Sequence, residues 1–243
     1  MRYVALATDY DGTLAQDSVV ERATIAALER LRASGRKLIL VSGRMLEDLQ
    51  SVFTYLDLFD IAVLENGGLL YRPLDGALTC LAETPPAAYI ERLKELEVPF
   101  VVGRTLVATW EPHDVPALKA IKDLGLELQV IFNKGSVMVL CTGVNKATGL
   151  CKALEELSIS EYNVVGIGDA ENDHAFLSAC AMSVAVANAV PMLKERAHVV
   201  TQGARGAGVV ELIDQLLADD LRSWEQCVER QEVQAPPRGS AVP

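Results

Sequence analysis

The stretch from Tyr3 to Leu14 constrains this chain most strongly. An apolar run rich in strand-forming residues stops at Asp9 and Asp11, two carboxylates separated by Tyr10 and followed by Gly12-Thr13. The pattern reads as a buried strand that delivers charge at its C-terminal end. That is the edge at which open parallel sheets bind their ligands. In an extended chain both carboxylates would point to one side, whereas a loop turning at Gly12 would bring them round a common centre. Buried, unpaired carboxylates are costly, so the pair calls for a cation. A hard divalent ion with oxygen ligands suits it, and Mg²⁺ fits where few carboxylates meet a phosphate.

Three later stretches end or open elements in the same manner: Val41-Ser42-Gly43-Arg44, Asn145-Lys146, and Gly166 to Asp173, which carries Asp169, Glu171, Asn172 and Asp173. A strand that ends in Ser42-Gly43 before a helix suits phosphate binding through the hydroxyl and backbone N–H groups. Lys146 opens a helical stretch, where the dipole disfavours a cation, so its place makes better sense beside an anion. Taken with Asp9-Tyr10-Asp11-Gly12-Thr13, these stretches resemble, in order and spacing, the four motifs of the haloacid dehalogenase superfamily of phosphohydrolases. The resemblance extends to about Leu217.

Composition agrees. Among 243 residues half are hydrophobic and only 5% aromatic, which fits a Val/Ala/Leu-rich α/β protein better than an aromatic-rich sandwich. A formal charge of −11 argues against a nucleic-acid partner, whose phosphates would be repelled. A phosphorylated small substrate stays open, because a metal and a few local cations reverse the field in one pocket. Cys80, Cys141, Cys151, Cys180 and Cys227 are scattered without a C-x-x-C pair, and four lie in apolar contexts, so buried thiols in a reducing compartment are expected. The N-terminal apolar run is too short for a signal peptide and no later run is long enough to span a bilayer, so a cytoplasmic protein is expected.

Along the chain, periodicity predicts helices over 18–33, 44–55, 87–96, 115–124, 146–157 and 206–217. Strands are expected over 37–41, 61–64, 162–168 and 182–187, with hairpins across Asp75-Gly76 and across Asn133-Lys134-Gly135. Between Glu83 and Thr142 a helix-strand-strand unit occurs twice, which reads as a small inserted α+β domain. The expected fold is therefore α/β: a Rossmann-like core with a parallel sheet over 1–82 and 143–220, and an α+β cap over 83–142. That insertion resembles the cap called C2b, found among Cof-like, sucrose-phosphatase-like and phosphoglycolate-phosphatase-like members. Residues 221–243 turn polar and end near Pro236-Pro237, which reads as a disordered tail or linker.

What the resemblance implies is specific. Asp9 is the nucleophile that forms an aspartyl-phosphate, and Asp11 is the general acid and base. Lys146 neutralises the nucleophile, and Ser42 with Gly43 holds the phosphoryl group. Asp9, Asp169 and the backbone of Asp11 hold Mg²⁺, and Asp173 either supports that site or anchors Lys146. Arg44 meets substrate or makes a helix-start salt bridge. Asn66 faces substrate or serves an Asn-Gly turn, and Asn172 contacts the phosphate or caps a helix. In the cap, Asp114 is expected to cap its helix, while Arg104 and Lys134 either meet an anion or stay solvated. The implied activity is Mg²⁺-dependent hydrolysis of a small phosphorylated metabolite, a sugar phosphate or phosphoglycolate. A phosphomutase of the same fold, or a regulatory module of a larger protein, are the alternatives.

Overall fold

In the computed structural model, residues 1–234 are described, with side chains through Val228. The main sheet has eight strands in the spatial order Val199–Val200, Met182–Ala185, Val164–Gly168, Ala5–Asp9, Lys37–Val41, Ile61–Leu64, Leu69–Arg72 and Ala77–Cys80. The first six run parallel, and the last two form an antiparallel hairpin at one edge. Ala5–Asp9 is wholly buried and pairs with Lys37–Val41 on one side and Val164–Gly168 on the other. The chain winds outward from it in both directions, so the order reverses there. Such a reversal opens a crevice at the C-terminal ends of the strands.

Leu6, Leu38, Leu40, Val63, Val165 and Ile167 are fully buried in one continuous core with the helices that cover the sheet. Burying each such side chain contributes on the order of 1.5–3 kcal/mol. The helices Arg22–Ala33 and Gly206–Asp219 pack on one another. Lys146–Leu157 lies across the strands Ile61–Leu64 and Lys37–Val41.

The inserted unit is an antiparallel sheet in the order Leu128–Asn133, Ser136–Cys141, Leu106–Trp110, Val101–Val102. Its residues alternate between two faces, as the period of a strand requires. Val107 and Val139 pack beneath the helices Ala87–Glu95 and Asp114–Leu124 with Tyr89, Leu93, Ala117 and Ala120. Leu106, Met138 and Leu140 form the other face, with Ala108, Ile131 and the core residue Met45. The cap thus lays half of its sheet over the C-terminal edge of the core.

Several elements depart from the sequence reading. The first helix begins at Arg22 rather than Ser18, because residues 15–20 make a small hairpin, Ala15–Gln16 with Val19–Val20, turning at Asp17 and Ser18, both at positive φ. The expected polar tail is wrong over its first half: Arg222–Gln234 is a helix, and Trp224 packs against the main core. The remainder, 235–243, lies outside the described residues. Only Cys180 of the five cysteines is buried, so the expectation of buried thiols fails for Cys80, Cys151 and Cys227, which are exposed. Asp114 is the first residue of its helix rather than the cap, and the position before it is His113. Among the described residues no helix is long and apolar enough to cross a membrane.

Candidate active site

Three strand ends and one helix start converge at the crevice. Asp9 closes the central strand and is buried, with its Oδ1 accepting a 2.6 Å hydrogen bond from Lys146 Nζ. Lys146 is itself buried, and its Nζ also donates to Asp173 Oδ1 at 2.5 Å. The lysine is placed by the start of its helix. The Asn145 side chain accepts from the N–H groups of Ala147 and Thr148, and the Thr148 hydroxyl accepts from Asn145 N, which forms a capping box. The turn Glu65–Gly67 abuts that helix start so closely that a Cβ on Gly67, at φ +105°, would fall 1.9 Å from Asn145 O. Beneath the ammonium lies the Phe176 ring, its centroid 5.8 Å away.

Asp173 has both oxygens engaged. Oδ1 takes Lys146, and Oδ2 accepts from the backbone N–H groups of Asp169 and Ala170, each at 2.9 Å. Of the two roles weighed for Asp173, this geometry is that of an anchor for Lys146 and for the backbone of the Asp169 loop.

The electrostatics are dominated by burial. Burial pushes the Asp9 carboxyl above the ordinary carboxylate range, Asp173 adds to the rise, and Lys146 opposes it. For Lys146 burial acts to lower the pKa, but Asp173 and Asp9 outweigh it and hold the ammonium above the usual lysine range. Asp169 is likewise raised by burial, against the pull of Lys134.

Asp9, Asp169 and Asp173 present oxygens that all lie within 4.8 Å of one another. The Thr13 hydroxyl donates to Asp169 Oδ1 at 3.2 Å. Gly12 turns the loop at φ +92°, and a Cβ there would meet Asp169 Oδ2 at 2.3 Å. The chain can pass the acid only as glycine. An all-oxygen donor set of this kind, carboxylates with a nearby backbone carbonyl, fits a hard divalent cation.

Asp11, less buried, is gripped by Arg44, whose Nε and Nη2 donate to its two oxygens at 2.7 and 2.8 Å. Arg44 also donates to Asp48 and to the Ser18 hydroxyl. It therefore makes an ion pair across 33 residues of sequence as well as the short-range one that was expected. Ser42 is buried and its Oγ accepts from Arg44 N at 3.2 Å. The expected helix does not follow directly, however. It begins at Leu46, so Ser42 and Gly43 sit in a loop and helix-end N–H groups are not presented there. Gly43 lies under the cap, with Met138 Sδ 3.2 Å from where its Cβ would be.

Asn66 is buried in a left-handed conformation and accepts from Asn172 Nδ2 at 3.3 Å. Asn172 Oδ1 and Asn133 Oδ1 are buried without a hydrogen-bond partner among the described residues. Glu65 turns away from the crevice. Its carboxylate accepts from Arg104 N, Thr105 N and the Thr105 hydroxyl, tying the core to the cap. Arg104 itself pairs with Glu47 at the surface.

Between core and cap lies a cavity of about 580 Å³, with Asp9, Asp11, Ser42 and Arg44 among its core-side walls and Leu106, Ala108, Asn133, Lys134 and Met138 on the cap side. Two contributors were given no role from the sequence. Asn188 donates to Gly12 O at 2.9 Å and steadies the turn beside Asp11, and Thr13 holds Asp169. Asn188 follows the strand Met182–Ala185, so the rule that singled out Asp9 and Asp169 would have found it.

A buried carboxylate paired with lysine, with a second carboxylate on the wall of a cavity between core and cap, is an arrangement able to carry nucleophilic chemistry on an acidic residue. Residues 6–100 and 117–213 match the family model for haloacid dehalogenase-like hydrolases, and the chain belongs to that family. It is an enzyme, a phosphatase of the haloacid dehalogenase type. Its relatives include phosphoglycolate phosphatase 2 of Saccharolobus solfataricus, 29% identical with 90% of this chain and 94% of that one covered. The phosphoglycolate phosphatase of Methanothermobacter thermautotrophicus is 31% identical, covering 86% and 96% respectively. Among solved structures, a haloacid dehalogenase-like hydrolase from Bacteroides thetaiotaomicron superposes with a TM-score of 0.77 at 18% identity, over 88% of this chain and 99% of the other.

Proposed function

We propose that the protein hydrolyses a small phosphorylated metabolite, 2-phosphoglycolate foremost, through an aspartyl-phosphate on Asp9. The observation that carries this reading is the buried Asp9–Lys146–Asp173 chain at the floor of the cavity, with both lysine contacts at 2.6 Å or less. Lys146 keeps Asp9 oriented and offsets the charge that gathers when a phosphate dianion approaches a carboxylate. An Asp9 oxygen attacks phosphorus, the ester P–O bond breaks, and the leaving alkoxide takes a proton from Asp11. Water then attacks the same phosphorus, Asp11 recovers the proton from it, and Asp9 is released with inorganic phosphate.

Asp11 is held through both oxygens by Arg44. The proton-donor role therefore requires Arg44 to release one of them, with Asp48 and Ser18 ready as its remaining acceptors. Ser42 donates its hydroxyl to the phosphoryl group. Asp9, Asp169 and the carbonyl of Asp11 would hold Mg²⁺, which supplies charge neutralisation of the phosphoryl oxygens when bound. The cap excludes water and selects the leaving group.

The phosphoglycolate phosphatases among its relatives support the choice of 2-phosphoglycolate. The test is phosphate release from a panel of phosphorylated metabolites, with Mg²⁺ and with chelator. Metal-dependent turnover led by 2-phosphoglycolate is expected. Turnover that depends on a bisphosphate activator would instead identify a mutase.

A further inference from the structure

Lys134 sits at the tip of the cap hairpin that joins Leu128–Asn133 to Ser136–Cys141. Lys134 and Gly135 both have positive φ, 49° and 82°, the signature of a tight two-residue turn whose twist matches the strands. That turn aims the lysine across the cavity. Its Nζ donates to the backbone oxygen of Asp11 at 2.7 Å and to Asp169 Oδ2 at 2.9 Å, and the side chain stays half exposed. These two oxygens belong to the set that would hold the divalent cation. An ammonium and a divalent ion cannot share them, because both are positive and both need the same lone pairs.

The other cation lining the cavity, Arg44, stays paired with carboxylates even when it frees one Asp11 oxygen. Arg44 is committed to Asp11, Asp48 and Ser18. The lining carboxylates Asp9, Asp11 and Asp48 would repel a second anionic group on a substrate. Among the described residues that line the cavity, Lys134 is the cation on the cap side that could receive one once released.

We propose that Lys134 and the divalent cation compete for Asp11 O and Asp169 Oδ2, so that metal loading turns the Lys134 ammonium into the cavity, where it recognises an anionic leaving group. The Lys134 contacts with Asp11 O and Asp169 Oδ2 would give way to the cation, and charge selection by the cap would be switched on by the same event that loads the site. The proposal rests on the phosphatase reading for its second half and on the donor geometry alone for its first.

The competition is tested with Mn²⁺, a hard cation whose free form is followed by its paramagnetic resonance signal, on the full chain and on Lys134→Met. A half-exposed ion pair contributes little, so Mn²⁺ should bind about fivefold more tightly to the variant. Equal or weaker affinity would overturn the competition.

Recognition is tested by comparing kcat/KM for 2-phosphoglycolate and for ethyl phosphate, which has the same length without the carboxylate. Lys134→Met should lose about tenfold or more on the first relative to the second, and Lys134→Arg should keep most of the preference. Equal losses on both esters would overturn recognition. If the wild-type chain hydrolyses neither ester, the phosphatase reading fails, and calorimetric binding of the same two esters to the metal-loaded protein decides recognition instead.

Discussion

Replacing Lys146 with methionine removes a buried cation and leaves its shape nearly intact. Asp9 and Asp173 would then face each other in the interior, each almost wholly shielded from water, with their common counter-charge gone. Breaking a buried pair by removing one partner costs about 3–5 kcal/mol. For a chain of this size each kcal/mol lowers the melting temperature by about 2–4 °C, so Lys146→Met should melt about 6–20 °C below the wild type at neutral pH in the absence of metal. The penalty should depend on pH. Burial already raises Asp9 above its unfolded value, and losing Lys146 raises it further. A carboxyl whose folded pKa is raised contributes stability at low pH and loses it as pH rises through the carboxylate range and above. The gap between variant and wild type should therefore narrow toward pH 4 and widen toward pH 8. Thermal unfolding followed by circular dichroism at the two pH values reads both effects. A variant that melts within a degree or two of the wild type at pH 8, or a gap that does not change with pH, would refute a charge-bearing role for Lys146 in the interior.

Two other substitutions test separate parts of the structure. Gly12→Ala places a Cβ against Asp169 Oδ2 at a left-handed φ, so a loss of about 1–3 kcal/mol is expected together with weakened divalent-ion binding, measured by urea unfolding and metal titration. Far from the site, burial pushes Asp220 up, but hydrogen bonds from Arg2 N and the buried Arg36 outweigh this and hold it below its ordinary value. Its contribution is thus present above the unfolded carboxylate pKa and lost as pH falls through the lower folded one. Asp220→Asn, which tolerates the positive φ there, should cost about 1–2 kcal/mol at pH 7, with the two melting curves converging below about pH 4.

Much of this arrangement could be read from the sequence because each main-sheet strand is short, apolar and punctuated. Asp9 and Asp169 stand where buried strands stop, and the order of the sheet then forces those stops to one edge. Asp75-Gly76 and Asn133-Lys134-Gly135 located the hairpins, and Lys146 gave itself away as a cation at a helix start. What escaped notice depends on distances across the fold. The grip of Arg44 on Asp11, the bracing of Asp169 by Thr13 and of the Gly12 turn by Asn188, and the lock of Glu65 on Thr105 join residues whose local patterns are ordinary. Lys134 reads equally well as a solvated turn cation, and only the docking of the cap over the core sends it to Asp169. The hairpin at residues 15–20 was hidden because its turn uses Asp17 and Ser18 at positive φ, where sequence offers no glycine. The helix Arg222–Gln234 was hidden by its polarity, although Trp224 packs on the main core and Glu225 accepts hydrogen bonds from Tyr3 and Arg2.

The most direct test of a covalent mechanism at Asp9 is reductive trapping. Protein turning over 2-phosphoglycolate with Mg²⁺ is quenched with borohydride, which reduces an aspartyl-phosphate to homoserine, and the peptide containing residues 9 and 11 is sequenced by mass spectrometry. Homoserine at position 9, absent without substrate and absent from Asp9→Asn, is the expected result. Phosphate release with Asp9 unmodified, or homoserine at position 11 instead, would contradict the assignment of Asp9 as the nucleophile.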